Sequence, residues 1–231
     1  MAKKQPKEYP HIALRPEEVN GKIDFSDIFG RKTAVHPVRD GKSEISGGQR
    51  QKPVSNGVHI EIGTGKGTFL VSQAQAFPGI NFLGIEWANK YYKYAIDRIG
   101  RRAIGNVRII RTEAALFLSK HIRGRSVDCF HIYFPDPWPK RAHHKRRFVC
   151  AENITQMIRC LKKNGLINVA TDHAGYFQWM KDEFESFAKK LKPAQFVKPA
   201  GVSDNEIVGT NYERKYIKEK RAIYTLAFRK I

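Results

Sequence analysis

The chain has 231 residues, 41% hydrophobic, 28% charged and 11% aromatic, which suits one substantial core, excludes wholesale disorder and is short for two full domains. Its 42 Lys and Arg against 22 Asp and Glu leave a formal charge of +20, an excess that favours a polyanionic partner, nucleic acid foremost. No run nears the roughly 18 apolar residues of a membrane-spanning helix, and the opening MAKKQPKEYPH lacks the apolar run of a signal peptide, so a cytoplasmic protein is expected.

Residues 1–57 show little periodic hydrophobicity and many turn formers, with Gly41, Gly47, Gly48, Pro53 and Gly57 in quick succession. They read as an N-terminal arm and flexible lead-in to a single domain over 58–231. From Val58 onward short apolar runs alternate with longer amphipathic stretches, the pattern of an α/β fold on a mostly parallel, doubly wound sheet. Strands are predicted over 58–62, 81–86, 107–111, 127–134, 166–171 and 223–229. Helices are predicted over 67–77, 91–102, 113–121, 148–161 and 176–191. The fourth helix should stop at Lys162-Lys163-Asn164-Gly165, with Gly165 as a left-handed cap. Cys129, Cys150 and Cys160 form no C-x-x-C pair and have no histidines at zinc-finger spacing, so neither a disulfide framework nor a metal is expected.

Four features fall at predicted strand ends, where open α/β sheets bind ligands. The first is Glu61-Ile62-Gly63-Thr64-Gly65-Lys66-Gly67. Gly63 and Gly65 permit a tight turn and close approach to the backbone, and the helix that follows offers unpaired N–H groups. The second, Glu86, stands 23 residues after Gly63, placed to take both hydroxyls of a ribose. Glu61 discriminates between nucleotide cofactors. A carboxylate beneath the turn opposes a pyrophosphate but suits the ammonium and sulfonium of S-adenosylmethionine. Third, Thr112-Glu113-Ala114 follows the third strand, where it can meet an adenine edge or simply cap a helix.

The fourth feature is the most specific: His131-Ile132-Tyr133-Phe134-Pro135-Asp136-Pro137-Trp138-Pro139-Lys140, followed by Arg141-Ala142-His143-His144-Lys145-Arg146-Arg147. Three prolines within five residues cannot continue a central strand, and they hold Asp136 and Trp138 in a rigid loop beyond it. An acid and an aromatic so presented suit a planar base, the acid accepting from its N–H edge. From Lys140 to Arg147 the chain has five cations, Lys140, Arg141, Lys145, Arg146 and Arg147, with two His and no acid, a patch able to grip phosphates beside the base. Asp172 and the Thr210-Asn211-Tyr212-Glu213 segment are open to a plainer explanation, since Thr210 and Glu213 have the form of a capping box. The stretch from Thr210 to Ile231 carries seven more Lys and Arg, a second basic patch.

With these residues in place, the chain from Val58 to its C-terminus resembles the bacterial tRNA (guanine-N7)-methyltransferases, most specifically in PDPWPK followed by HHKRR. The resemblance implies the class I methyltransferase fold, with a seven-stranded sheet, and transfer of a methyl group from S-adenosylmethionine to a guanine in the variable loop of tRNA. It implies cofactor contacts from Glu61, Glu86, Glu113 and Asp136, with Gly63, Gly65 and Ala114 beside them. It further implies guanine or tRNA contacts from Lys140, Asp172 and the segment Thr210 to Glu213, Asp136 being the catalytic residue. A monomer or homodimer without metal is expected. Methylation of an exocyclic base amine and non-catalytic RNA binding remain as alternatives, and a nicotinamide dehydrogenase is disfavoured by Glu61.

Overall fold

The computed structural model describes residues 9–30 and 57–231, and in it the predicted alternation closes into one sheet. In chain order the elements are β1 (Ala13–Leu14), a 3-10 turn (Pro16–Glu18), α1 (Phe25–Gly30), β2 (Gly57–Ile62), α2 (Thr68–Ala76) and β3 (Ile80–Glu86). There follow α3 (Asn89–Gly100), β4 (Val107–Arg111), α4 (Ala114–His121), β5 (Val127–Tyr133), a second 3-10 turn (Arg141–Arg146) and α5 (Ala151–Cys160). The chain ends with β6 (Leu161–Thr171), α6 (Ala174–Glu185), β7 (Leu191–Pro193), α7 (Asn211–Lys218) and β8 (Tyr224–Lys230). Among the described residues no helix is long and apolar enough to cross a membrane.

The strands run in the order β1-β4-β3-β2-β5-β6-β8-β7, with only β8 antiparallel to its neighbours. Each crossover from β2 to β6 carries a helix, so two apolar layers form. One face packs Phe130, Ile132, Met157 and Phe184; the other packs Phe69, Leu70, Phe82 and Ile99. The winding reverses between β2 and β5, which lie side by side although two strands separate them in sequence. That reversal opens a crevice at their carboxyl ends.

The sheet has eight strands where seven were expected, because Ala13–Leu14 adds parallel to β4. Residues 9–30, read as part of a flexible arm, join the domain. Ile12 is fully buried, Ile23 and Phe25 enter the core, and Arg108 donates to the Ile28 carbonyl at 3.2 Å. The rest of the expected arm, 1–8 and 31–56, lies outside the described residues.

The expected cap at Gly165 is also corrected. Helix α5 ends at Cys160 and β6 begins at once, and it is Asn164 that takes the left-handed conformation, with φ of 66°. The β5–β6 register shifts there. Gly165 is required for a different reason: a Cβ on it would stand 2.8 Å from Leu161 Cδ2 and 3.0 Å from the Lys162 carbonyl oxygen.

A similar close approach fixes Gly84 in β3, where a Cβ would fall 2.5 Å from Thr64 Oγ1 and 2.6 Å from Leu70 Cδ1. Gly84→Ala is therefore expected to destabilise the fold by roughly 1–3 kcal/mol, the usual cost of overpacking. Gly79→Ala, where an added Cβ meets nothing within 4 Å, should stay within about 0.5 kcal/mol of the parent. Urea unfolding of the two variants checks the contrast.

Candidate active site

The turn after β2 is built on left-handed glycines: Gly63, Gly65 and Gly67 have φ of 73°, 56° and 69°, angles that cost other residues strain. Their conformation folds the chain back so that Gly63 N and Thr64 N donate to the Ile85 carbonyl at 2.9 and 3.2 Å. Glu86 completes the turn from the end of β3. Its Oε2 accepts from Gly65 N and its Oε1 from Ala88 N, each at 2.7 Å, leaving each oxygen a further lone pair for a ligand.

Glu61 is buried behind this turn, with Oε2 lacking any hydrogen-bond partner among the described residues, as does Thr64 Oγ1. Both residues line a cavity of about 190 Å³ with Gly65, Tyr91, Tyr133 and Tyr212. Burial, with the Glu86 charge adding to it, pushes the Glu61 carboxyl well above the usual carboxylate range. A buried, unpaired carboxylate is costly by itself and is satisfied by a cation entering the cavity. The donor set fits the methionyl end of S-adenosylmethionine, and Glu86 fits its ribose.

Glu113 meets the plainer of its two expectations. It is exposed and caps α4 with both oxygens, accepting from Ala115 N at 2.9 Å and Leu116 N at 2.8 Å. Ala114 begins that helix.

One strand across the reversal, β5 delivers the proline loop to the same edge. Phe134 and Trp138 adopt positive φ of 52° and 42°, and Asp136 between them is exposed. Asp172, following β6, accepts from Arg221 Nη1 at 2.8 Å with its side chain 12% exposed. Arg221 in turn lies over the Tyr216 ring, which also meets Phe134 of the loop. Lys140 is exposed at the foot of the loop.

Helix α7 joins these two halves. Thr210 caps it through Glu213 N at 3.1 Å, and Asn211 Nδ2 donates to Thr68 Oγ1 at 2.7 Å, at the start of α2. Tyr212 borders the cavity; burial, the Tyr91 phenol and then the charges of Asp136 and Glu86 push its phenol up to about 12. It therefore senses both the glycine turn and the acid loop. Glu213, expected at the substrate, is instead fully buried and accepts from the backbone N–H groups of Ile207, Val208 and Gly209. Its carboxylate shapes the loop before α7.

Of the expected RNA patch, Arg141, Lys145 and Arg146 are exposed, Arg146 with its guanidinium over the Trp138 ring at 4.9 Å. Arg147 is not part of that surface. It is 5% exposed and lies under the loop against two aromatic rings.

Thr64, Tyr91, Tyr133 and Arg221 were not singled out from sequence. Thr64 and Tyr133 lie within the glycine-turn and proline-loop motifs but were given no role of their own, so strand-end position alone marks them; Arg221 has no local signal beyond its place in the second basic patch. Away from the turn, His59, Cys129 and His131 bring three metal-capable atoms within 4.8 Å of one another. There the imidazoles pair with each other at 3.1 Å, and His131 with the Tyr133 hydroxyl at 2.9 Å.

Known proteins share both layers of this description. Solved structures of the aminoglycoside resistance methyltransferase NpmB1 (TM-score 0.53, 17% identity, 77% of this chain and 89% of that one) and of an Aquifex aeolicus SAM-dependent methyltransferase (TM-score 0.53, 11% identity, 76% and 83%) share the fold. A family described as putative methyltransferase matches residues 55–226. The tRNA (guanine-N(7)-)-methyltransferase of Streptococcus thermophilus is 32% identical over 93% of this chain and 88% of its own length. That of Streptococcus uberis is 27% identical over 93% and 89%. With the glycine turn, the buried Glu61 and the proline loop all on one sheet edge, these matches make the chain a member of the tRNA (guanine-N7)-methyltransferase family.

Proposed function

We propose that the protein methylates N7 of a guanine in the variable loop of tRNA, using S-adenosylmethionine, as a monomer or homodimer in the cytoplasm. The observation that carries this reading is the unpaired Glu61 carboxylate at the end of β2, one strand from a loop that presents Asp136. Bound S-adenosylmethionine supplies an electrophilic methyl group on a sulfonium. Glu61 holds the ammonium end, the Gly63–Gly65 turn approaches its backbone, Glu86 takes the ribose hydroxyls, and the Ala114 N–H beside Glu113 meets the adenine edge.

Guanine N7 has an in-plane lone pair and no proton, so the protein needs no base to create the nucleophile. Its task is to hold N7 about 3–3.5 Å from the methyl carbon and in line with the leaving sulfur. Asp136 and Asp172 accept from the N–H edge of the base, Asp172 with its orientation fixed by Arg221. Thr210, Asn211 and Tyr212 wall the site, Trp138 shapes it, and Lys140 takes a phosphate or base oxygen. Glu213 acts through the loop it folds. The methylated purine carries the positive charge after transfer, and Asp136 lies on its side of the site to stabilise it. Arg141, Lys145 and Arg146 grip the backbone, for which the +20 formal charge supplies long-range steering.

Labelled S-adenosylmethionine with unmodified tRNA, followed by nucleoside mass spectrometry, tests the reading. The expected product is 7-methylguanosine. A methyl group on an exocyclic amine overturns the choice of atom, and tight tRNA binding without transfer makes the protein an RNA-binding module.

A further inference from the structure

The proline loop has an unusual backbone problem. Pro135, Pro137 and Pro139 have no N–H to donate, so the loop has few means of fastening itself. Its backbone is bonded before the prolines, Phe134 N to the Ala170 carbonyl at 2.7 Å, and after them, His143 N to the Lys140 carbonyl at 2.8 Å. In the middle, the Pro137 carbonyl accepts from a side chain ten residues on, Arg147 Nε at 2.9 Å.

Arg147 is itself held by two aromatic rings. Its guanidinium lies 4.9 Å from the Tyr176 ring centre and 4.8 Å from that of Trp179, both on α6. Those rings are anchored in turn: the Trp179 indole N–H donates to the Val149 carbonyl at 2.9 Å, and the Tyr176 hydroxyl accepts from Val149 N at 3.2 Å. Arg147 N donates to the His144 carbonyl at 2.9 Å, closing the basic 3-10 turn. A guanidinium that is 5% exposed, packed on two rings and bonded through its Nε edge to a carbonyl is poorly presented to a phosphate, whereas its planar fork suits a fixed mount.

We propose that Arg147 is a positioning residue for methyl transfer: packed against Tyr176 and Trp179, it fixes the Pro137 carbonyl and so sets the placement of Asp136 and Trp138 on either side. This rests on the reading of Asp136 given above. The basic run after the loop thus divides by function, with Lys145 and Arg146 facing outward and Arg147 building the site from beneath. Trp179 and Tyr176 make α6 part of the acceptor site without touching substrate.

The experiment compares Arg147→Ala and Arg147→Met with Lys145→Ala, using unmodified tRNA at several salt concentrations. Met can pack against the rings but cannot donate, which keeps the test open if the Ala variant folds poorly. Both Arg147 variants should lose about 30- to 100-fold in kcat, the scale of a loop misplaced by about 1 Å, while tRNA affinity and its salt dependence stay as in the parent. Lys145→Ala should show the reverse pattern, weaker tRNA binding with a salt slope shallower by about 1. Arg147→Lys should recover little, since an ammonium cannot stack flat on the rings and donate sideways.

A readout independent of turnover is the fluorine resonance of Trp138 in 5-fluorotryptophan-labelled protein, expected to shift or broaden in Arg147→Met. Weaker tRNA binding with kcat retained at saturation overturns the proposal and returns Arg147 to the RNA surface, as does an unchanged Trp138 resonance. If the parent protein methylates another atom, or none, the functional reading falls separately, and the Trp138 resonance still decides whether Arg147 holds the loop.

Discussion

Asp136→Ala should lower kcat/KM for tRNA methylation by roughly two to three orders of magnitude, the largest loss expected of any single change in the acid loop. Two effects compound. The carboxylate orients the guanine through its N–H edge, so its removal frees the base to turn N7 out of line with the methyl group. It also faces the ring that gains positive charge as the reaction proceeds, and that stabilisation grows toward the transition state. Asp136→Asn separates them, because an amide oxygen accepts the N–H but brings no charge, and its rate should fall between those of the parent and Ala. Single-turnover kinetics at saturating tRNA, with S-adenosylhomocysteine affinity measured alongside, resolves the outcome. A parent-like rate in Asp136→Ala removes Asp136 from the mechanism, and a matching loss of cofactor affinity makes it chiefly a cofactor contact.

Glu61→Gln should act in opposite directions on the empty and the loaded protein. Burial raises the folded-state affinity of Glu61 for a proton above its ordinary value of 4.5. The group therefore adds stability below pH 4.5, and that contribution is lost as pH rises through the folded-state value. A glutamine cannot ionise, so the cofactor-free variant should be more stable than the parent toward neutral pH, the difference closing toward pH 4.5. Cofactor affinity should instead fall about 100-fold, or about 3 kcal/mol, because an ammonium would then be buried without its counter-charge. Below the folded-state value of Glu61, binding to the parent also releases its proton. The parent's affinity should therefore strengthen as pH rises above 4.5, by up to about tenfold per unit, until Glu61 ionises in the free protein, a slope the Gln variant lacks. Urea unfolding and calorimetric titration with S-adenosylhomocysteine measure both. A Gln variant with parent-like affinity and slope excludes Glu61 as the ammonium partner.

What the sequence disclosed follows from how each element gains its stability. Strands such as Ile80–Glu86 and Val127–Tyr133 are largely buried and mostly apolar, so they announce themselves, and the strand-end rule then brings Glu61, Glu86 and Asp136 to one edge. The edge strands β1 and β7 have two and three residues, too few to show any period, and exist because β4 and β8 offer them a template. Helix α7 hides differently. Its sequence NYERKYIK buries a single residue, and that residue is the acid Glu213, so no apolar stripe could reveal it and only the Thr210 cap remained as a sign. The site misreadings share a cause. Arg147 sits in a basic run and looks solvated, and its ring partners lie about thirty positions away in sequence; Arg221 pairs with Asp172 across 49 residues. Local pattern carries no information about such pairs, because the fold alone brings them together.

Helix α7 touches the start of α2 through Asn211, the cavity through Tyr212 and the acid loop through the Tyr216–Phe134 contact. On the proposed reading one short helix therefore borders both ligands, and a displacement that one of them imposes on it is felt by the other. Occupancy of the two sites is then a linked equilibrium, with reciprocity enforced by thermodynamics: the factor by which cofactor alters tRNA affinity is the factor by which tRNA alters cofactor affinity.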